Sequence, residues 1–216
     1  MSSAKAQPHI GPLMNVVIAK PQRDEKREAI LGIARQVFLE EGYAAASMST
    51  IAARVGGSKG TLYNYFRSKA ELFVAVIQHQ CELNQAELFD THHPDMHTYL
   101  RELAKRFTRL MLSDEVLGMH RIVVAEAVRF PEIGAALYEA GPKKGKQRMI
   151  AYFDQAIAEG RLKPCDTGRA AEQAMELCLA GLYRRALWNV GAKPTDAEID
   201  ANVEAGLDTW MAAYAL

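Results

Sequence analysis

Gly56-Gly57 interrupts a helix-forming stretch that carries a capping serine on each side of the break. Ser47 can cap a turn and a half of helix with apolar residues Ile51, Ala52 and Val55, and Ser58 can cap a second helix that follows at once. Two short helices joined by a tight glycine turn form a helix-turn-helix. At 100° per residue, Leu62 and Phe66 share the face of the second helix that docks on the first. Gly60 and Asn64 point the opposite way, with Thr61 and Tyr63 on their flanks. That outer face is the one a DNA major groove would meet.

Each residue type on that face has a chemical reason. Lys59, in the first turn, combines its charge with free backbone N–H groups and suits a phosphate or a guanine edge. Gly60 lets the backbone come close to bases. Tyr63 and Tyr65 offer a ring to a thymine methyl and a hydroxyl to a phosphate, and Asn64 can donate and accept at a base edge. Ser68 and Glu71 read as a capping box that starts another helix, placing Lys69 in its first turn as a second phosphate clamp.

The run Gly42-Tyr43, Ser47 to Ala52, Ser58-Lys59-Gly60-Thr61-Leu62-Tyr63-Asn64-Tyr65-Phe66 and Ser68-Lys69 closely resembles the DNA-binding domain of the TetR family of bacterial transcriptional regulators, over about residues 24 to 80. The resemblance implies DNA contacts at Ser49, Ser58, Lys59, Gly60, Thr61, Tyr63, Asn64, Tyr65 and Lys69. Two positions depart from the family pattern: Gly57 stands where an apolar residue is usual, and Ala46 where Thr is common.

The formal net charge is zero, which looks wrong for a nucleic-acid binder until it is divided along the chain. From Lys20 to Lys69 there are nine basic and five acidic residues; from Ala70 onward there are sixteen basic and twenty-one acidic. A basic head on an acidic body fits one DNA-facing end. Cys81, Cys165 and Cys178 are odd in number and widely spaced, which indicates neither a disulfide framework nor a zinc knuckle and suits a reducing cytoplasm. The apolar patch from Leu13 to Ala19 is too short for a membrane span or a signal peptide. Residues 1–22 read as a flexible tail, or alternatively as an arm whose Lys20 and Arg23 reach a minor groove.

The rest of the chain shows helical periodicity without strand-like alternation, so the fold class is all-α. A first helix from Asp24 carries Ile30, Ile33, Ala34, Val37 and Phe38 and stops at Gly42. Residues 23–68 then form a three-helix DNA-binding domain and 69–216 a helical effector-binding and dimerisation domain. Helices are expected from Ser68 to about Phe89, Met96 to Leu112, Asp114 to Phe130, and after Pro131 with a division at Gly141-Pro142. Two more follow, from Thr167 to about Asn189 and from Asp196 to about Tyr214, the last opened by a Thr195–Glu198 capping box. These last two carry more apolar surface than one face needs, with small residues at Ala174, Ala180 and Gly181. That pattern fits either a monomer core or a homodimer bundle that sets two recognition helices one DNA turn apart. The segment from His120 to Ile133 resembles AcrR-like effector domains.

Stripes this wide leave room for a ligand cavity. Its expected lining is Phe107, Met111, Met119, Val123, Glu126, Phe130, Tyr152, Met175, Cys178 and Tyr183. Glu126 either meets a cationic ligand or pairs with Arg121 or Arg184. His92, His93 and His97, with Cys81 and His120 as distant recruits, lack the spacing of a closed metal site, so no metal or cofactor is expected. No nucleophile elbow, phosphate-cradling loop or paired-carboxylate motif points to catalysis. The leading expectation is a homodimeric repressor that binds an operator on double-stranded DNA and is released by a small-molecule effector, with no membrane partner. A helical carrier or enzyme with a non-functional head, and an activator, remain the alternatives.

Overall fold

The computed structural model describes residues 20–90 and 93–216. Most of the expected tail, residues 1–19, and the candidate ligand His92 lie outside the described residues. Helix α1, Lys20–Ala45, begins four residues before Asp24, so Arg23 is helical and stands over the Tyr65 ring, 5.8 Å from its centroid, rather than in an extended arm. The first helix stops at Gly42 as expected: its φ 75° and ψ 166° are non-helical values that glycine adopts without strain, and a short further turn carries α1 on to Ala45. Helices α2 (Met48–Val55), α3 (Lys59–Tyr63) and α4 (Lys69–Leu88) follow. Ile30, Leu31, Ala34, Val37 and Phe38 form the buried floor of this unit, and Leu62 and Phe66, each 2% exposed, dock on it.

The body contains α5 (Met96–Met111), α6 (Asp114–Glu126), α7 (Pro131–Ala140), α8 (Pro142–Ala158), α9 (Thr167–Leu179), α10 (Tyr183–Leu187) and α11 (Asp196–Tyr214). Among the described residues there is no strand beyond a single bridge between Leu162 and Ala215. The chain divides at Gly141-Pro142 as expected, because proline is tolerated only in the first turn of a new helix. The helix expected over 167–189 is broken instead: Ala180 turns extended and Gly181 takes φ 76°, separating α9 from α10. Gly181 thus marks the break between the two helices and stays exposed, and Ala174 packs inward.

Close helix approach comes from Gly206 on α11, where a Cβ would lie 2.9 Å from the Leu177 carbonyl oxygen of α9. Asn202 Nδ2 donates to the Cys178 carbonyl at 2.7 Å, and Trp210 Nε1 donates to the Ala170 carbonyl at 2.8 Å. On the other flank of α11, Arg101, Lys105 and Arg109 of α5 pair with Glu204, Asp200 and Asp196 in antiparallel order, at 2.8 to 3.7 Å. Exposed pairs contribute little energy singly, but a ladder of three fixes register.

The head and the body share one core. Phe38, Tyr43 and Phe73 interlock at ring distances of 4.7 to 6.0 Å, and Phe130 closes on Tyr43 edge-on at 5.3 Å. Met119, Val123, Ile133 and Ala136 from α6 and α7 complete this cluster. A second core joins α5, α8, α9 and α11 around Phe153 and Trp210, stacked at 4.8 Å.

Candidate nucleic-acid interface and ligand cavity

Helices α2, α3 and α4 each start on a serine whose side chain satisfies an otherwise free N–H. Ser47 accepts from the Thr50 N–H, Ser58 from Thr61 and Ser68 from Glu71, all at 3.0 Å. The turn closes at Gly56, φ 73°, whose N–H bonds back to Ala52 and Ala53. The expected box at Ser68 forms only in half, since Glu71 accepts from the Arg67 N–H, one residue farther out, at 2.7 Å.

Ser49, Ser58, Lys59, Gly60, Tyr63 and Asn64 are exposed together, and Thr61 and Tyr65 half-buried beside them. Tyr63 is 42% exposed, unusual for so large a ring, with the Lys59 ammonium 5.9 Å from its centroid. A Cβ on Gly60 would meet only Ser58 Oγ, at 3.7 Å, an ordinary contact. No crowding among the described residues asks for glycine there. Arg54 is spoken for, paired with Glu40 and with Glu41 at 3.3 Å on α1.

Lys69 differs from the phosphate clamp expected of it. Its ammonium donates to the carbonyls of Tyr43, Ala44 and Ala46 at 2.6, 3.2 and 2.9 Å. All three N–H donors of a lysine are thereby used, and Lys69 caps the end of α1 instead of facing outward.

A cavity of about 860 Å³ opens in the body between α4, α5, α8 and α9, with contributions from α6, α7, α10 and α11. Its wall is largely apolar, through Leu88, Leu103, Phe107, Met111, Met149, Met175 and Trp210. Polar side chains interrupt it, among them Asn84, Gln173, Thr209 and Tyr214, and two sites carry hydrogen bonds that cross between elements. His120 Nδ1 and the Tyr183 hydroxyl are hydrogen-bonded at 2.6 Å, joining α6 to α10, and burial pushes the His120 pKa down and that of Tyr183 up. On α4, Gln85 Nε2 donates to the Gly141 carbonyl at 3.2 Å, while its Oε1 is buried without a hydrogen-bond partner among the described residues. Burial also pushes the Cys81 thiol up to about 11, which keeps it neutral.

Residues 30–76 match the family of bacterial regulatory proteins of the tetR type, and residues 98–216, more than half the chain, match the C-terminal domain of AefR-like transcriptional repressors. The chain belongs to the TetR family of transcriptional regulators. Among solved structures, a TetR-family regulator from Mesorhizobium loti is similar over 91% of this chain and all of its own, with TM-score 0.82 and 25% identity. The flavonoid-responsive regulator FrrA is similar over 89% of this chain and 98% of its own, with TM-score 0.75 and 31% identity. By sequence, the transcriptional activator FasR of Mycolicibacterium smegmatis is 52% identical over 56 residues, 26% of each chain. The regulator UidR of Escherichia coli K12 is 34% identical over 134 residues, 59% of this chain and 61% of its own. The chain thus spans only part of FasR and UidR, whereas the TetR-family structures match it over most of its length.

Within this TetR-family body, four of the ten expected cavity residues line the large cavity: Phe107, Met111, Met175 and Tyr183. Cys178 lines a small adjoining pocket of about 40 Å³. Met119, Val123 and Phe130 do not reach either, because α6 is wedged between head and body and turns that stripe toward the head core. Tyr152 stacks on Tyr99 at 4.5 Å instead. Glu126 pairs with neither expected arginine: Arg121 donates to the carbonyls of Leu187 and Ala186 at 2.8 and 2.7 Å, capping α10. Glu126 sits at the head junction, where its charge, after burial and Glu132, helps hold the Tyr43 pKa above its usual value.

Sequence reasoning missed the α4 wall. Cys81, Asn84, Gln85 and Leu88 recur at helical spacing on one face, and a stripe that mixes amides with apolar groups was the available signal. Among the described residues, no group of three or more His, Cys, Asp or Glu is placed to hold a metal, and no helix is long and apolar enough to cross a membrane.

Proposed function

We propose that this TetR-family chain is a homodimeric repressor in the cytoplasm that grips a palindromic operator on double-stranded DNA through α3 and lets go when a small organic molecule fills the cavity. The observation that carries the DNA half is Gly60. A glycine costs a helix stability, roughly 0.5–1 kcal/mol relative to alanine, and nothing among the described residues requires one there. An outside surface that must come close to the backbone explains it, and exposed Lys59, Tyr63 and Asn64 around it offer the matching hydrogen-bond and charge chemistry.

Dimerisation through α9 and α11 is supported by Ala201, Ala205, Thr209 and Ala212, exposed small residues along one side of α11. A second copy of that helix can approach closely there, and a twofold axis would set two α3 helices about 34–36 Å apart. The link between cavity and DNA is α4: Cys81 and Gln85 stand in the cavity wall, and Lys69 at the other end holds the end of α1. A ligand that shifts α4 moves the heads, and linkage requires DNA to weaken the ligand by the same factor. Repression follows the character of the C-terminal match, whereas the likeness to an activator extends over only 56 residues. Selecting fragments of the source genome with purified protein tests the proposal. It expects recovery of one or a few inverted repeats near promoters; recovery of random sequence overturns it.

A further inference from the structure

We infer that the cavity selects an uncharged, largely apolar molecule bearing a hydroxyl group, read by the His120–Tyr183 pair. The inference rests on the cavity being the effector site and adds the chemistry of its occupant. Among the described residues, the ordinarily charged ones on the cavity wall are Glu176 and Arg184, both exposed and so already solvated at the rim. The interior thus offers no ion to pair with, and an isolated charge placed there would lose its hydration uncompensated.

The His120–Tyr183 bond leaves a particular remainder. If the Tyr183 hydroxyl donates to Nδ1, the imidazole carries its proton on Nε2 and the phenol oxygen keeps a free lone pair. If Nδ1 donates, Tyr183 keeps a free O–H and Nε2 a free lone pair. In both arrangements the pair presents one donor and one acceptor. Among the described residues, Nε2 makes no other hydrogen bond. Burial lowers the His120 pKa, so the imidazole is neutral at pH 7 and does not attract an anion. A hydroxyl, itself donor and acceptor, satisfies that remainder whichever way it is set, and a methyl ether of the same shape cannot. Gln85 Oε1, an acceptor already fixed by the bond its amide nitrogen makes to Gly141, adds a second place where the wall lacks a donor. Leaving such groups unmatched is what makes polar sites discriminate strongly against an analogue without the group.

The test measures displacement of the neutral dye Nile red, together with quenching of Trp210 in the wall, by four probes: naringenin, its trimethyl ether, palmitate and tetraphenylphosphonium. The expected order is naringenin at least ten-fold tighter than the ether, with the carboxylate and the cation weaker still. Tyr183→Phe and His120→Phe are expected to bring naringenin to within about two-fold of the ether while leaving the ether's own Kd unchanged. Equal affinity for the ether, tighter binding of either ion, or an unchanged preference in both variants overturns the inference. The unaltered chain separates the two levels. If Nile red binds and the probes displace it with no preference for naringenin over its ether, the cavity reading survives and the inference fails. If Nile red does not bind and no probe quenches Trp210, the cavity reading itself fails.

Discussion

The ammonium of Lys69 lies 2.6 Å from the carbonyl oxygen of Tyr43 and 4.5 Å above the centroid of the same residue's ring. One side chain at the start of α4 thereby closes the end of α1, where carbonyls past the Gly42 bend would otherwise lack partners. Charge-assisted bonds of this kind contribute about 1.5–3 kcal/mol. Lys69→Met keeps the aliphatic stem and is expected to lower stability by about 1–2 kcal/mol and to weaken operator binding, measured by thermal unfolding and gel shift. Because the ammonium is already engaged, the loss in DNA affinity is expected to keep the salt dependence of the unaltered protein, whereas a phosphate contact would reduce that slope by about one.

Gly206→Val puts side-chain atoms where a Cβ alone would stand 2.9 Å from the Leu177 oxygen and 3.0 Å from its carbonyl carbon. Backbone cannot step aside as a flexible side chain can, so α9 and α11 must separate. The expected cost is about 1–3 kcal/mol, read as a fall of several degrees in Tm, with a further loss of dimer in sedimentation.

The stability of the body should respond to mild acid through His120. Its folded-state pKa lies below the ordinary 6.5 because burial disfavours the imidazolium. The unfolded chain therefore binds the proton first as pH falls, so stability is full above 6.5 and declines below it toward the lower folded pKa. Urea unfolding at stepped pH is expected to show this slope in the unaltered protein and a shallower one in His120→Phe.

Gly60→Ala separates stability from function. The added methyl meets ordinary contact only, so folding is expected to gain roughly 0.5 kcal/mol, because alanine restricts the unfolded chain more than glycine does. Operator affinity is expected to fall at least ten-fold. A variant more stable and yet weaker on DNA is the signature of a residue kept for an outside partner.

Much of this architecture can be read in the sequence where the cause is local. Ser47, Ser58 and Thr195 cap helices because an N-cap needs only a side-chain oxygen and the next turn, and Leu62 and Phe66 face inward by helical period alone. What escaped depends on the neighbours of a helix. Gly181 looks like a packing residue until its φ is known, and Gly206 looks ordinary until α9 lies against it. Periodicity showed that Met119 and Val123 point inward but not toward which core, since α6 has the head on one side and the cavity, at Val116 and His120, on the other. Lys69 was misread for the same reason: its charge and position suit a phosphate, and only the bend at Gly42 brings three carbonyls within its reach.

The exposed face of α3 carries the central claim, and anisotropy of a labelled operator fragment tests it most directly. Tyr63→Ala combined with Asn64→Ala removes two exposed side chains that no core depends on. The expected result is a loss of specific affinity of about 2–6 kcal/mol, at one to three per lost base contact, with unfolding temperature and sedimentation of the dimer unchanged. Undiminished operator affinity in that double variant would contradict the account.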